Sequence, residues 1–119
     1  MRTAFREFIR RLSESDEERL ADEVRVWADT IPSTARVTDC RDRSRVKVAG
    51  LVRRITIRPV EGLEALEAVL WDGTGEVTAV WLGRRSIPGL ALGSRIVIEG
   101  VLGRERGRPR IVNPTFEFA

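Results

Sequence analysis

The chain has 119 residues, 42% hydrophobic and 33% charged, a size and balance suited to one compact domain with a short appendage. It holds no histidine and one cysteine, Cys40, which excludes histidine-ligated metal, a Ser-His-Asp or Cys-His nucleophilic pair, and any intrachain disulfide. Charge is unevenly divided: residues 1–35 carry 6 Arg against 8 Asp and Glu, whereas residues 36–119 carry 15 Lys and Arg against 10 acids. Twenty of the 21 basic residues are Arg, whose planar fork suits phosphate but whose excess over Lys reads first as genome composition; it is the uneven charge that points to a polyanion partner for the C-terminal part. No apolar run approaches the roughly 20 residues of a membrane span, and charges at the N-terminus interrupt any signal-like stretch. A reducing cytoplasm is the expected location.

Residues 1–35 read as an extension of two short amphipathic helices. Phe5, Phe8, Ile9 and Leu12 recur at helical spacing, and Ser13-Glu14-Ser15 is read as a break. Ser15 followed by Glu18 matches a capping box, and Leu20, Val24, Trp27 and Ile31 form a second apolar stripe that Pro32 ends. Acidic Asp22, Glu23 and Asp29 on these helices are candidates to fold over a basic site and occlude it, and the helices are also candidates to pair two copies of the chain or to dock a protein partner.

Residues 36–119 alternate as strands do. Val46 to Val52 begins the first, and the apolar parity flips from even positions to Ile55 and Ile57, which implies a β-bulge near Arg53-Arg54. Arg58 to Gly62 reads as loop, and Glu64 to Trp71 as the second strand with Leu66, Ala68 and Leu70 inward. Asp72-Gly73-Thr74-Gly75 is a tight turn held by side-chain hydrogen bonds of Asp72 and Thr74. Glu76 to Leu82 is the third strand, with Val77, Ala79 and Trp81 inward. Gly83 to Gly93 is a connector with room for a helical turn, Arg95 to Leu102 the fourth strand with a bend at Gly100, Gly103 to Pro109 a basic loop, and Arg110 to Phe118 the fifth strand. Trp27 and Trp81 are expected in the core, and Cys40 as a small buried thiol, although Arg41 and Arg43 stand near enough to lower its pKa.

Five antiparallel strands, the first one bent, with an irregular connector between the third and fourth, describe an all-β, five-stranded OB-fold Greek-key barrel carrying a helical extension; an SH3-like barrel is the alternative. Val46 to Phe118, about 73 of the 119 residues, resembles the OB-fold nucleic-acid-binding family of tRNA anticodon-binding domains and of the wedge domain of RecG-type branched-DNA helicases. The resemblance is carried by Val46-Lys47-Val48-Ala49-Gly50, by Leu70-Trp71-Asp72-Gly73-Thr74-Gly75, by Gly93 to Gly100, and by Ile111 to Glu117. The acidic extension resembles that of small stand-alone bacterial OB proteins, and no helicase motor accompanies it.

The resemblance implies a ligand lying across strands 2 and 3 between the 1–2 and 4–5 loops. Glu67, Val69 and Trp71, with Thr78, Val80 and Leu82 across the hairpin, should face it. In anticodon-type relatives the positions matching Glu67 and Thr78 contact a flipped-out base; an acid at Glu67, where an aromatic ring is usual, departs from that pattern. The expected nucleic-acid contacts are Val69, Trp71, Thr78 and Val80 on the sheet, Arg53 and Arg54 at the bulge, Arg84 and Arg85 in the connector, and Arg104, Arg106, Arg108 and Arg110 around the last hairpin. Trp71 is the expected base-stacking residue, packing under the extension being its alternative. The partner expected is nucleic acid, single-stranded or branched DNA ahead of RNA; a protein-interaction or oligomerisation module is the alternative. No cofactor, metal or catalytic residue is expected, and no enzymatic activity.

Overall fold

A computed structural model of the chain describes the backbone of residues 2–119 and the side chains from residue 4 onward; Met1 lies outside the described residues. One helix, α1 (Arg2–Asp29), opens it where two short ones were expected. Ser13-Glu14-Ser15 contains neither Gly nor Pro, so each residue keeps its helical hydrogen bond. The Ser15/Glu18 pattern therefore lies inside the helix, where the N–H groups a cap would serve are already bonded. The helix stops at the Thr30–Ser33 turn, with Ser33 in the left-handed region and the Thr34 hydroxyl donating to the Ile31 carbonyl.

Six strands follow a 3₁₀ turn at Val37–Asp39: β1 (Arg45–Val60), β2 (Leu63–Trp71), β3 (Glu76–Leu82), β4 (Arg95–Glu105), β5 (Arg108–Val112) and β6 (Thr115–Phe118). The first five close a ring of pairings in the order β1-β2-β3-β5-β4-β1, with β6 added on the other edge of β4. The fold is thus mostly β and barrel-like. The contact of β3 with β5 is parallel rather than antiparallel, because β5 returns to β3 directly from its hairpin with β4.

Closure depends on β1. Its Arg45–Leu51 stretch pairs with β4 and its Leu51–Val60 stretch with β2, and the pairing with β2 slips between Val52 and Arg54. The bulge leaves Arg53 unpaired and bends the strand, as its change of parity predicts. β1 also runs on to Val60 through the segment expected to be loop, since Glu61-Gly62 turns the chain in two residues, both with positive φ. Arg106-Gly107 does the same between β4 and β5, and the expected basic loop is mostly strand. The expected fifth strand is split instead, because Asn113 takes a left-handed conformation and Pro114 has no N–H to offer. The Gly83–Gly93 connector contains turns but no helix.

Leu66, Ala68 and Leu70 from β2 and Val77, Ala79 and Trp81 from β3 meet Val48, Ile96, Ile98 and Ile111 in the core, as the alternation requires. The Trp81 indole N–H donates to the Pro114 carbonyl at 3.1 Å, and the ring meets Phe116 edge-on. Gly100 serves a close approach: a Cβ there would stand 2.5 Å from Ile111 Cγ2. Asp72 is buried; Oδ1 accepts from the Thr74 amide, the Thr74 hydroxyl and the Gly75 amide, and Oδ2 from the Val37 amide. One carboxylate therefore holds both the β2–β3 turn and the strap that precedes β1. Cys40 is half-buried, and burial, with Asp72 and Asp39, pushes its thiol pKa up rather than down.

The last three turns of α1 sit on the barrel. Ala28 packs with Ala49 and Val97, Trp27 and Ile31 flank them, and Ala21 lies against Gly73. Trp27 is half-buried rather than core, its ring covered by the Arg95 guanidinium 4.9 Å away. An ion pair between Asp29 and Arg36 joins the helix end to the strap; Arg36 holds the Asp29 carboxyl below its ordinary pKa.

Candidate nucleic-acid interface

Strand register places one row of side chains across the outer face of the ring: Arg54 on β1 opposite Val69 on β2, Val69 opposite Thr78 on β3, and Thr78 opposite Arg110 on β5. Directly opposed residues point to the same face, so this row is the floor of a groove of about 410 Å³. Thr56, Arg58 and Glu67 continue one side of it, and Glu105, Arg106, Arg108 and Pro109 form the wall contributed by the β4–β5 hairpin. Five arginines and two glutamates therefore share one depression.

Two of those arginines are neutralised. Arg58 Nε donates to Glu67, its Nη2 donates to Glu105 at 3.1 Å, and Arg110 donates to the same Glu105 carboxylate. The Arg110 hydrogen bond, then the nearby Arg58, holds the Glu105 carboxyl below its usual pKa, and Glu67 followed by Glu105 raises that of Arg58. Among the described residues Arg54, Arg106 and Arg108 have no carboxylate within ion-pair distance, and all three are exposed. These are the guanidinium groups open to an anion.

Trp71 extends the face by one more outward position beyond Val69 and is half-buried. Its ring carries the Arg53 guanidinium 4.2 Å from the centroid, a cation–π contact made possible because the bulge leaves Arg53 out of register. The indole thus stands beyond the end of the groove, with one face occupied by a mobile-stemmed side chain.

No family model matches the chain, and no curated protein matches it either.

Several expected contacts fall elsewhere. Val80 points outward by register, between Glu67 and Val112, yet it is fully buried and offers nothing to a ligand. Arg104 pairs with Pro109 across the hairpin and so lies on the face opposite Arg110; it donates to Asp42 and to the Gly107 carbonyl. A two-residue turn sets Glu105 opposite Arg108 and Arg104 opposite Pro109, so simple alternation cannot carry all four arginines to one side. Arg84 and Arg85 are exposed in the connector outside the groove, Arg85 beside Glu64. Among the described residues none of α1 lines the groove; Asp22 pairs with Arg25 and Asp29 with Arg36, so the described part of the helix does not occlude it.

Thr56, Arg58, Glu105 and Pro109 are groove residues absent from the sequence expectation. The signal for the first two was present, since Ile55 and Ile57 facing inward send Arg54, Thr56 and Arg58 outward. Among the described residues no cluster of three or more His, Cys, Asp or Glu is placed to hold a metal ion.

Proposed function

We propose that the chain is an OB-fold module that binds single-stranded or branched nucleic acid, DNA ahead of RNA, along the β2–β3 face, without catalysis. The ring order β1-β2-β3-β5-β4 supports the OB-fold assignment. In that fold the sheet face of strands 2 and 3, with its flanking loops, is the usual oligonucleotide seat. The observation that carries the reading is the row Arg54–Val69–Thr78–Arg110 with Arg106 and Arg108 beside it. Phosphates track the uncompensated guanidinium groups, bases lie over Val69 and Thr78, and the next base exchanges with Arg53 on the Trp71 ring.

Anticodon-type, base-specific reading of RNA is disfavoured because Glu67 is not free to read a base edge. Its side chain is only 14% exposed and is tied to Arg58. Base-specific reading of the anticodon kind therefore has no partner here, whereas backbone contact and stacking accept any sequence.

Fluorescence anisotropy with labelled oligo-dT, oligo-U, a duplex of equal length and a three-way junction tests the proposal. Single strands and the junction should bind more tightly than the duplex, and binding should weaken steeply between about 50 and 200 mM salt as counterions are released. Absence of binding by every probe at the lower salt would end the proposal.

A further inference from the structure

From Ala4 to Leu20 every residue of α1 is exposed, including Phe5 at 65%, Phe8 at 58% and Leu12 at 47%. An isolated helix of this length is marginal in water, and such helices persist by packing an apolar face. The stripe has an address on the same molecule. A shallow, open depression of about 490 Å³ lies where α1 meets the sheet, lined by Arg19, Asp22, Glu23, Val26, Trp27 and Arg95. Its floor is apolar, with Val26 60% exposed.

Phe5, Ile9, Leu12, Asp16, Arg19, Glu23 and Val26 follow one another by alternate steps of four and three residues, so the apolar stripe and the depression share one face of the helix. The helix also has opposite electrical ends. Residues 5–12 hold three arginines against Glu7, and residues 14–23 hold six carboxylates against Arg19.

We propose that this face joins two copies of the chain through an antiparallel pairing of α1, each Phe5–Leu12 stripe seated in the depression of the other copy. The two-fold axis then passes near Ser15 and Asp16. Phe5 meets Val26 of the second copy, Leu12 lies along the stem of its Arg19, and Arg11 stands beside its Glu18 and Asp22. A parallel pair would oppose acid with acid along residues 14–23; the antiparallel pair sets residues 18–23 against the Arg10–Arg11 segment, leaves only Glu14, Asp16 and Glu17 facing one another near the axis, and sets the two β-sheet bodies at opposite ends. The Asp16 carboxylates near the axis repel one another, so the association is reversible rather than obligate.

Sedimentation equilibrium of the full chain from about 1 to 100 µM should show a mass rising toward twice the 13.4 kDa of one chain. Phe8→Glu with Leu12→Glu, at exposed positions, should raise the dimerisation midpoint more than about tenfold while the urea midpoint of the β-sheet, followed by the fluorescence of the buried Trp81, stays unchanged. In a Cys40→Ser background, Phe5→Cys combined with Val26→Cys should form an interchain disulfide under mild oxidation, and Phe5→Cys alone should not. A chain monomeric throughout that range, or a dimer insensitive to the two Glu substitutions, overturns the proposal. Efficient cross-linking of Phe5→Cys alone, which a parallel pair would produce, overturns it as well.

Discussion

Glu105 is the carboxylate that limits the positive charge of the groove, so removing its charge should tighten binding. In the folded chain it neutralises Arg110 and shares Arg58 with Glu67. That leaves Arg54, Arg106 and Arg108 for phosphate. Each phosphate neutralised on a single strand contributes roughly 0.7 to the slope of log affinity against log salt, so three contacts give a slope of about −2. Glu105→Gln releases Arg110 while Glu67 keeps Arg58, taking the slope to about −2.8. At about 0.1 M salt the additional contact amounts to roughly fivefold tighter binding, or ~1 kcal/mol. Arg108→Ala removes one contact and should do the reverse, with a slope near −1.4 and affinity lower by about fivefold. The pairs involved are only partly shielded from solvent and contribute little to folding, so neither variant should unfold. Anisotropy titrations of labelled oligo-dT at four salt concentrations measure both quantities. A Glu105→Gln protein that binds no more tightly than the parent, with an unchanged slope, would refute the assignment of this groove as the phosphate track.

Trp71→Ala should weaken single-strand binding by roughly 1–3 kcal/mol with the salt slope preserved, since stacking releases no counterions; an unaltered affinity would remove the indole from the site. Arg84→Ala with Arg85→Ala, outside the groove, should leave affinity within about twofold, and a larger loss would move the interface toward the connector. Asp72→Ala strands the buried Val37 amide and releases the β2–β3 turn, and should lower stability in urea by about 2–4 kcal/mol; a change under about 0.5 kcal/mol would contradict the role given to this carboxylate. Because the Glu105 carboxyl is depressed by Arg110 and Arg58, what it contributes to stability is present above its unfolded pKa and is lost as pH falls through its lower folded value. Carbon-detected NMR should therefore find its midpoint below the ordinary glutamate value of about 4.3, moving back up in Arg110→Ala; an ordinary midpoint in the parent protein would refute the pairing.

The strands and their inward faces were legible because alternation along a strand is a local property. The inward sets on β2 and β3, the bulge and the Asp72–Gly75 turn all follow from period-two patterning and turn chemistry, each settled within a few residues. The helix was misread for the complementary reason. Ser13, Ser15 and Glu18 make a good cap only where the backbone leaves the helix, and no nearby residue forces it to do so. In the groove, Arg54 and the hairpin residues Arg106, Arg108 and Arg110 were anticipated, whereas Val80 was expected to be exposed and is covered.

Residue type and order were enough to determine an Arg-rich, mostly β chain with an acidic-ended helical extension and no histidine chemistry. Tertiary structure alone decided which guanidinium groups gather, which are neutralised by Glu67, Glu105 or Asp42, and which side of the final hairpin each occupies. A side chain's electrostatic partner comes from a distant strand, and its face depends on register across turns; both are set only when the ring closes.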